Sequence, residues 1–355
     1  SRPGDAPRLA RVICFARVRH STMWFARGAM GVAALMLMAA CGDGARDDRP
    51  TGNGTAPPSR VTAVGRDSAR VDASVSLPAS RGDSLGKVPV LMYHVIGDRD
   101  ALWTVEKGRF RRQLETLYAR GYRPVTVAEL IDRRIAIPRG AKPVVFTFDD
   151  ASPSQFRYLR RGDSLVVDAT SAVGIWLDFA RTRPDWRPRA TFCLLSGAEA
   201  GRSFFGNKGI EGQDDAWRFR KLQWLHAQGF ELCNHTLWHA TLNKYPDAVV
   251  QEQIARGQLA IDSAVPGYRV RTFALPLGVW PKNRALAFAG SWTDPKSGRV
   301  VRYDHDAVLE VAGGPSVSPY DAAFDPRRLK RFVVTGESLD RLLQRMDSAG
   351  VAFVR

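Results

Sequence analysis

Several short runs of the chain are largely apolar and alternate with segments of helical periodicity. The strand-like runs occupy residues 88–93, 143–148, 190–195, 230–233 and 271–275. A strand that is apolar along its whole length is buried on both faces, which is typical of parallel sheets covered by helices. Helices are predicted over residues 215–228, 246–263 and 338–348, and a final strand over 351–354. The pattern predicts an α/β fold and, over about 270 residues, one βα-barrel-like domain. It does not fix the number of strands or their closure.

The first 40 residues are predicted to be a signal peptide of the lipoprotein type, with its start at Met23. An uncharged run from Gly28 to Ala40 is too short to span a bilayer but suits the apolar region of a signal peptide. Small residues before Cys41 resemble the lipobox of bacterial lipoproteins, which implies cleavage there and a lipid on the cysteine sulfur. The alternative is an ordinary signal peptide beside which Cys41 is incidental.

Residues 41–86 are rich in Gly, Ser, Thr, Pro, Asp and Arg and contain few large apolar side chains. Such a segment cannot bury enough surface to offset the entropy of ordering, which predicts a flexible tether. Residues 87–355 then form the predicted globular domain. This organisation predicts an exported protein held in the bacterial cell envelope by a lipid on Cys41, and leaves open which membrane holds it and its oligomeric state.

The formal net charge is +16, which favours anionic surroundings such as envelope polymers or phospholipid surfaces. A generally basic surface without a particular partner explains the same charge. The arginines are scattered and no nucleic-acid motif is present, so a nucleic-acid partner is not expected.

Two of the four cysteines, Cys193 and Cys233, fall inside strand-like runs of the predicted domain. Buried cysteines usually behave as small apolar side chains, so reduced thiols are the favoured interpretation. An exported location permits a disulfide, which the spacing alone cannot establish.

Ionisable side chains follow two of the predicted strands. Asp149 and Asp150 end the run that begins at Pro143, and alternation along a strand points their carboxylates in different directions. One carboxylate can bind a metal while the other stays free to take a proton; a solvated turn is the simpler alternative. His235 and His239 lie four residues apart, a spacing that on a helical turn places both imidazoles on one face. One carboxylate and two imidazoles make an open three-ligand site of the kind that catalytic zinc uses.

The joint pattern resembles the polysaccharide deacetylases of carbohydrate esterase family 4, the NodB-homology domain. The matching segments are Pro-Val-Leu-Met-Tyr-His over residues 89–94, Thr-Phe-Asp-Asp over 147–150, Ala-Thr-Phe over 190–192 and Asn-His-Thr-Leu-Trp-His over 234–239. The resemblance runs from about residue 88 to 280 and is thin beyond that point. It implies a distorted (β/α) barrel and a divalent metal, usually Zn²⁺.

The resemblance also implies a role for each matching residue. Asp149 corresponds to the general base, and the metal ligands correspond to Asp150, His235 and His239. The backbone N–H of Leu277 corresponds to the oxyanion donor, in a Pro-x-Gly segment that by itself is only a turn.

The sequence departs from the common family pattern at several positions. Ala151 replaces the usual Gly after the aspartate pair, and Ala274 stands where many relatives have an Arg that orients the base. The Leu-x-His that often supplies the general acid is missing after residue 327, and His305 is a poor match for it. His94, at the end of the first strand, is the better candidate and resembles the acid of the branch that acts on poly-N-acetylglucosamine. A core histidine bonded to the backbone is the alternative for His94.

These observations predict metal-dependent hydrolysis of N-acetyl groups from an envelope or extracellular polysaccharide of amino sugars, with release of acetate. Two alternatives stay open: a catalytically silent glycan-binding module, and an O-acetyl esterase or deacylase acting on another acylated substrate. Aromatic residues between 152 and 187, such as Trp176 and Trp186, are candidates for stacking on sugar rings, although core packing is favoured.

Overall fold

The computed structural model describes residues 82–197, 203–311 and 313–355. The predicted signal peptide, Cys41 and nearly all of the predicted tether lie outside the described residues. Within the described ranges, no helix combines the length and the apolar character needed to cross a bilayer.

The described residues contain strands and helices in alternation. The strands, in chain order, are β1 (Val90–Tyr93), β2 (Val95–Gly97), β3 (Thr104–Glu106), β4 (Tyr122–Val125), β5 (Lys142–Phe148), β6 (Tyr158–Arg161), β7 (Ser164–Val167), β8 (Thr191–Leu194), β9 (Glu231–Asn234), β10 (Thr272–Ala274), β11 (Ala289–Thr293), β12 (Val300–Asp304), β13 (Ala307–Leu309) and β14 (Phe332–Val333). The α-helices are α1 (Lys107–Ala119), α2 (Val127–Ile131), α3 (Ala172–Ala180), α4 (Arg218–Gln228), α5 (Asp247–Ala264) and α6 (Ser338–Ser348).

A curled parallel sheet forms the centre of the molecule. Its strands follow the order β13-β10-β9-β8-β5-β1-β14, and β4 also pairs with β5. β4 lies along the first half of β5 and β8 along the second half, on the side away from β1. The sheet and its helices form a distorted (β/α) barrel, as the sequence predicted.

The segment 329–333 connects the two ends of this sheet. Leu329 pairs with Leu309 of β13, and Phe332 pairs with Leu91 of β1. The main chain of Leu329 also donates a hydrogen bond to Val308 of β13 at 2.9 Å and accepts one at 3.0 Å from Glu310, which follows β13. We call residues 329–333 the closing segment, because it joins strands that do not pair directly.

Side chains of the sheet alternate between two buried layers. Leu91 and Tyr93 of β1 face outward and join the layer under the helices, in which α1 contributes Phe110. Val90 of the same strand and Val145 of β5 face inward and belong to a second cluster inside the barrel. Burial on both faces accounts for the absence of polar alternation in these strands.

The predicted elements agree with the observed ones except at the carboxyl terminus. Helices were predicted over 215–228, 246–263 and 338–348, and the structure has α4, α5 and α6 there. Residues 351–354 were predicted to form a strand, and this was wrong. Ala352 makes an isolated bridge to Lys87 and Val354 one to Asp83, so the pairing is too short for a strand.

Cys193 and Cys233 form a disulfide, which corrects the favoured interpretation as reduced thiols. The two cysteines occupy opposite positions of the neighbouring parallel strands β8 and β9, and both belong to the cluster inside the barrel. Strand register, which the sequence spacing does not reveal, brings the sulfur atoms together.

The disulfide generates a stability prediction. Because the cysteines are 40 residues apart, the bond removes loop-closure entropy from the unfolded chain. Replacing both, Cys193→Ala with Cys233→Ala, is expected to lower the free energy of unfolding by about 2–4 kcal/mol, measured by urea denaturation. A reducing agent should destabilise the wild type similarly and leave the double variant unchanged. If reduction leaves the wild-type transition unmoved, the cysteines are thiols after all.

Candidate active site

The carboxyl ends of four strands meet at one edge of the barrel. β1 ends before His94, β5 before Asp149, and β9 before His235, while β10 ends at Ala274. Parallel strands present their carboxyl ends to the same side, which is where ligands bind in α/β folds. The sheet therefore gathers residues that are up to 180 positions apart in sequence (from His94 to Ala274).

Asp150, His235 and His239 form a three-residue cluster at this edge. Their ligand atoms lie within 4.8 Å of one another. The Oδ1 atom of Asp150 is 3.4 Å from Nε2 of His235 and 3.5 Å from Nε2 of His239. The sequence predicted these three residues as metal ligands, and the structure places them together.

The two histidines meet through a loop rather than on a helical turn, which corrects the predicted geometry. Thr236 and His239 both have positive φ, 74° and 64°, in a region that residues other than Gly rarely adopt. The Oγ1 atom of Thr236 accepts a hydrogen bond from the N–H of His239 at 3.1 Å. The backbone of residues 235–239 therefore turns back on itself and brings the second imidazole beside the first.

A close approach between α5 and this loop supports the conformation. The side chain of Asn234 donates to the carbonyl of Ile254 in α5 at 2.9 Å and accepts from the N–H of Thr236 at 2.9 Å. A Cβ atom at Gly257 would lie 2.3 Å from Oδ1 of Asn234, so only glycine fits at this point of the helix. Helix α5 thus holds the loop in this conformation through its contacts with Asn234.

The chemistry of this cluster fits a metal ion. Nδ1 of His235 lies 2.9 Å from the carbonyl oxygen of Ala274, which requires that this nitrogen carry the proton and leaves the lone pair on Nε2. Two ligand atoms ~2.1 Å from one tetrahedral zinc ion are roughly 3.4 Å apart, which is close to the spacing of Asp150 from each imidazole.

The electrostatics of the cluster also favour a bound cation. Burial, and after it the charge of His235, lower the pKa of His239 to about 4, so this imidazole is neutral at pH 7, as a ligand must be. Burial opposes a charge on His235, but Asp149 and Asp150 outweigh it and raise the pKa of His235. The surroundings of His235 therefore favour a positive charge beside Asp150, which a divalent metal would supply.

Asp149 is held by Arg331, which sequence analysis did not identify. The guanidinium donates to both carboxylate oxygens, from Nη1 to Oδ1 at 2.7 Å and from Nη2 to Oδ2 at 2.8 Å. Arg331 is fully buried, and only 2% of Asp149 is exposed. The resemblance implied an Arg at the position of Ala274, whereas in the structure the Arg that binds Asp149 comes from the closing segment.

The pKa of Asp149 reflects this pairing. Burial alone would raise the pKa, but the charges of Arg331 and His235 and the hydrogen bonds from Arg331 lower it below its ordinary value. Asp149 is therefore an anion at neutral pH. Each of its oxygens accepts one bond from Arg331 and keeps lone-pair capacity for a further proton.

His94 lies beside the aspartate pair, and its backbone is tied to that of Asp149. Nε2 of the buried Gln155 donates to both carbonyl oxygens, of His94 and of Asp149, at 2.5 Å. Burial lowers the pKa of His94, while Asp149 and Asp150 act in the opposite direction. The lowered pKa favours the neutral imidazole, so His94 must take up a proton before it can act as an acid.

Leu277 and His305 have different surroundings. Leu277 lies in the short 3₁₀ turn Pro276–Gly278 that follows β10, is 60% exposed and has a positive φ of 57°. The turn is closed by the N–H groups of Gly278 and Val279. His305 is buried, with Nδ1 3.0 Å from the carbonyl oxygen of Ala287 and its ring stacked on Phe273. His305 is a core residue, in keeping with its poor match to the family's acid.

Comparison with known proteins gave one family model. Residues 187–290 match the model described as "Polysaccharide deacetylase". The match supports the polysaccharide deacetylase family. It contains His235, His239 and Leu277, whereas the aspartate pair precedes it. A comparison with curated protein sequences gave no match.

Solved structures with a similar fold include two deacetylases. The Streptococcus pyogenes deacetylase PplD, in complex with acetate, has a TM-score of 0.51 and 18% identity, over 74% of this chain and 99% of its own. The Bacillus cereus polysaccharide deacetylase BC0361 has a TM-score of 0.51 and 18% identity, over 73% of this chain and 69% of its own. At this identity the likeness concerns the fold. Family match and fold together support a hydrolase that acts on amide bonds of a polysaccharide.

The buried ion pair generates a prediction about stability. Arg331→Met leaves the carboxylate of Asp149 buried without its charged partner, so the free energy of unfolding is expected to fall by about 3–5 kcal/mol, measured by urea denaturation. The double variant Asp149→Asn with Arg331→Met removes both charges and should be more stable than Arg331→Met alone. Strictly additive losses from the two substitutions would argue against coupling between the side chains.

Proposed function

We propose that the chain is a metal-dependent N-deacetylase that releases acetate from a polysaccharide of amino sugars in the cell envelope or outside it. The observation that carries the proposal is the placement of the Asp149 carboxylate, buried and ionised, beside a cluster formed by Asp150, His235 and His239. The cluster fits one divalent cation, for which Zn²⁺ is the best candidate given its imidazole and carboxylate donors.

The metal, when bound by these three residues, would polarise the acetamide carbonyl and lower the pKa of an attacking water. Asp149 takes the proton of that water during attack on the carbonyl carbon, and Arg331 keeps the carboxylate in position. Because Arg331 already binds both carboxylate oxygens, the base needs no rearrangement before the reaction.

Two further groups serve the later part of the reaction. The backbone N–H of Leu277, in the exposed turn after β10, is proposed to donate to the developing oxyanion. His94 is proposed as the general acid that protonates the departing amine, since it lies at the end of β1 close enough to Asp149 and Asp150 for their charges to act on it.

We also propose that the protein is exported and attached to a membrane through a lipid on Cys41. The disulfide between Cys193 and Cys233 supports an oxidising compartment, because disulfides persist mainly in exported proteins. The predicted tether of residues 41–86 would let the domain reach a polymer some distance from the membrane.

Metal binding is tested by substituting one ligand and a histidine outside the cluster. His239→Ala is expected to lower the bound zinc of the purified chain by at least tenfold, measured by elemental analysis after dialysis, because the site loses one of three ligands. His226→Ala is the matched control, since His226 is exposed, packs against Tyr268 and lies outside the cluster, and the zinc content of this variant should equal that of the wild type. Equal zinc in the two variants would exclude the proposed ligand set.

The role of Asp149 is tested by Asp149→Asn, which removes the base and nearly preserves its shape. Acetate release from N-acetylglucosamine oligomers is expected to fall by about 10²–10⁴-fold in kcat/KM, with zinc still bound. O-acetylated xylan is assayed in parallel, and preference for it would favour the esterase alternative. Full activity of Asp149→Asn would show that Asp149 is not the base.

A further inference from the structure

An exposed tryptophan lies beside His94. The ring centroids of Trp103 and His94 are 4.8 Å apart with an interplanar angle of 53°, and 41% of Trp103 is exposed. An exposed indole at the mouth of the candidate site offers a flat apolar face on which a ligand ring can stack. Among the aromatics considered from the sequence, Trp176 and Trp186 are buried and cannot provide such a surface.

The loop that carries Trp103 is rigidly held. Ala101 and Thr104 exchange two backbone hydrogen bonds, of 3.1 and 3.0 Å, which make Leu102 and Trp103 the corner of a tight turn. Asp100 accepts from the N–H of Glu106 at 2.9 Å and from Nε of Arg109 at 2.7 Å. The loop therefore holds the indole in place before a ligand binds, so that binding costs little side-chain or loop entropy.

The backbone at Trp103 is strained. Its φ of 66° lies in the left-handed region, at the turn position where glycine or asparagine is preferred. A bulky residue persists at such a position only when the surrounding structure enforces it, and this strain is commonest at functional sites. Glycine would make the turn more easily, so fold stability does not explain the indole.

We infer that Trp103 is a glycan-binding residue that stacks against a pyranose ring of the substrate. The apolar face of a pyranose matches an exposed indole, which supplies a large contact area at low conformational cost. His94 must touch the leaving nitrogen directly to pass its proton, so the reacting sugar lies against His94. The ring on Trp103 is then the neighbouring sugar of the same chain. This inference rests on the proposed function, since it assumes a substrate with linked sugar rings.

The test compares two substitutions in the same turn of the full chain. Trp103→Gly removes the indole and relieves the strained φ. Leu102→Ala is the matched control, because Leu102 is the adjacent corner residue and is 77% exposed. Binding of the N-acetylglucosamine tetramer is measured by calorimetry in the presence of a metal chelator, so that no turnover occurs. Acetate release is measured separately from the monomer and the tetramer.

Trp103→Gly is expected to weaken tetramer binding and to raise KM for the tetramer roughly tenfold, with a smaller effect on the monomer. Its thermal midpoint should equal or exceed that of the wild type, because glycine suits the backbone. Leu102→Ala should match the wild type throughout.

Each contrary result has a defined meaning. Unchanged tetramer binding in Trp103→Gly overturns the inference, and so does failure of the wild type to bind the tetramer. Equal losses on monomer and tetramer would show that Trp103 acts on His94 or on the reacting sugar rather than on a neighbouring ring, which also overturns the inference. If the wild type binds the tetramer through Trp103 but releases no acetate, the proposed deacetylation fails while the stacking role stands.

Discussion

The ion pair between Arg331 and Asp149 joins the segment that closes the barrel to the candidate site. Arg331 belongs to the closing segment, and Asp149 follows β5 in the middle of the sheet. Two of the other donors of the guanidinium reach the carbonyl of Glu310 at 2.9 Å and the hydroxyl of Thr147 at 3.1 Å. A fully buried arginine is tolerable only when its charge and its hydrogen bonds are satisfied in this way. The segment that closes the barrel therefore also orients the carboxylate of Asp149.

Much of the architecture could be predicted because its signals are local. Apolar runs of strand length predicted β1, β5, β8, β9 and β10, and helical periodicity predicted α4, α5 and α6. The candidate ligands were identified because they follow strands directly in the sequence, where the parallel sheet gathers them at one edge.

The features that could not be predicted depend on contacts between distant segments. Arg331 stands in a basic stretch, Arg327-Arg328-Leu329-Lys330-Arg331, which looks solvent-exposed in sequence. Its burial follows from the pairing of Leu329 and Phe332 with opposite ends of the sheet. The bond between Cys193 and Cys233 likewise follows from strand register. The loop of His235 and His239 was assigned a helical turn because spacing alone cannot distinguish it from a turn with positive φ.

The position of Arg331 also links the two residues proposed to move protons. β14 neighbours β1, so the guanidinium that binds Asp149 lies close enough to His94 for its charge to act there. Burial acts most strongly on both groups and disfavours a charge on either, raising the pKa of Asp149 and lowering that of His94. The charge of Arg331 then lowers both pKa values, so that it opposes burial at Asp149 and reinforces it at His94. One buried charge from the closing segment therefore keeps Asp149 ionised and disfavours a second positive charge on His94.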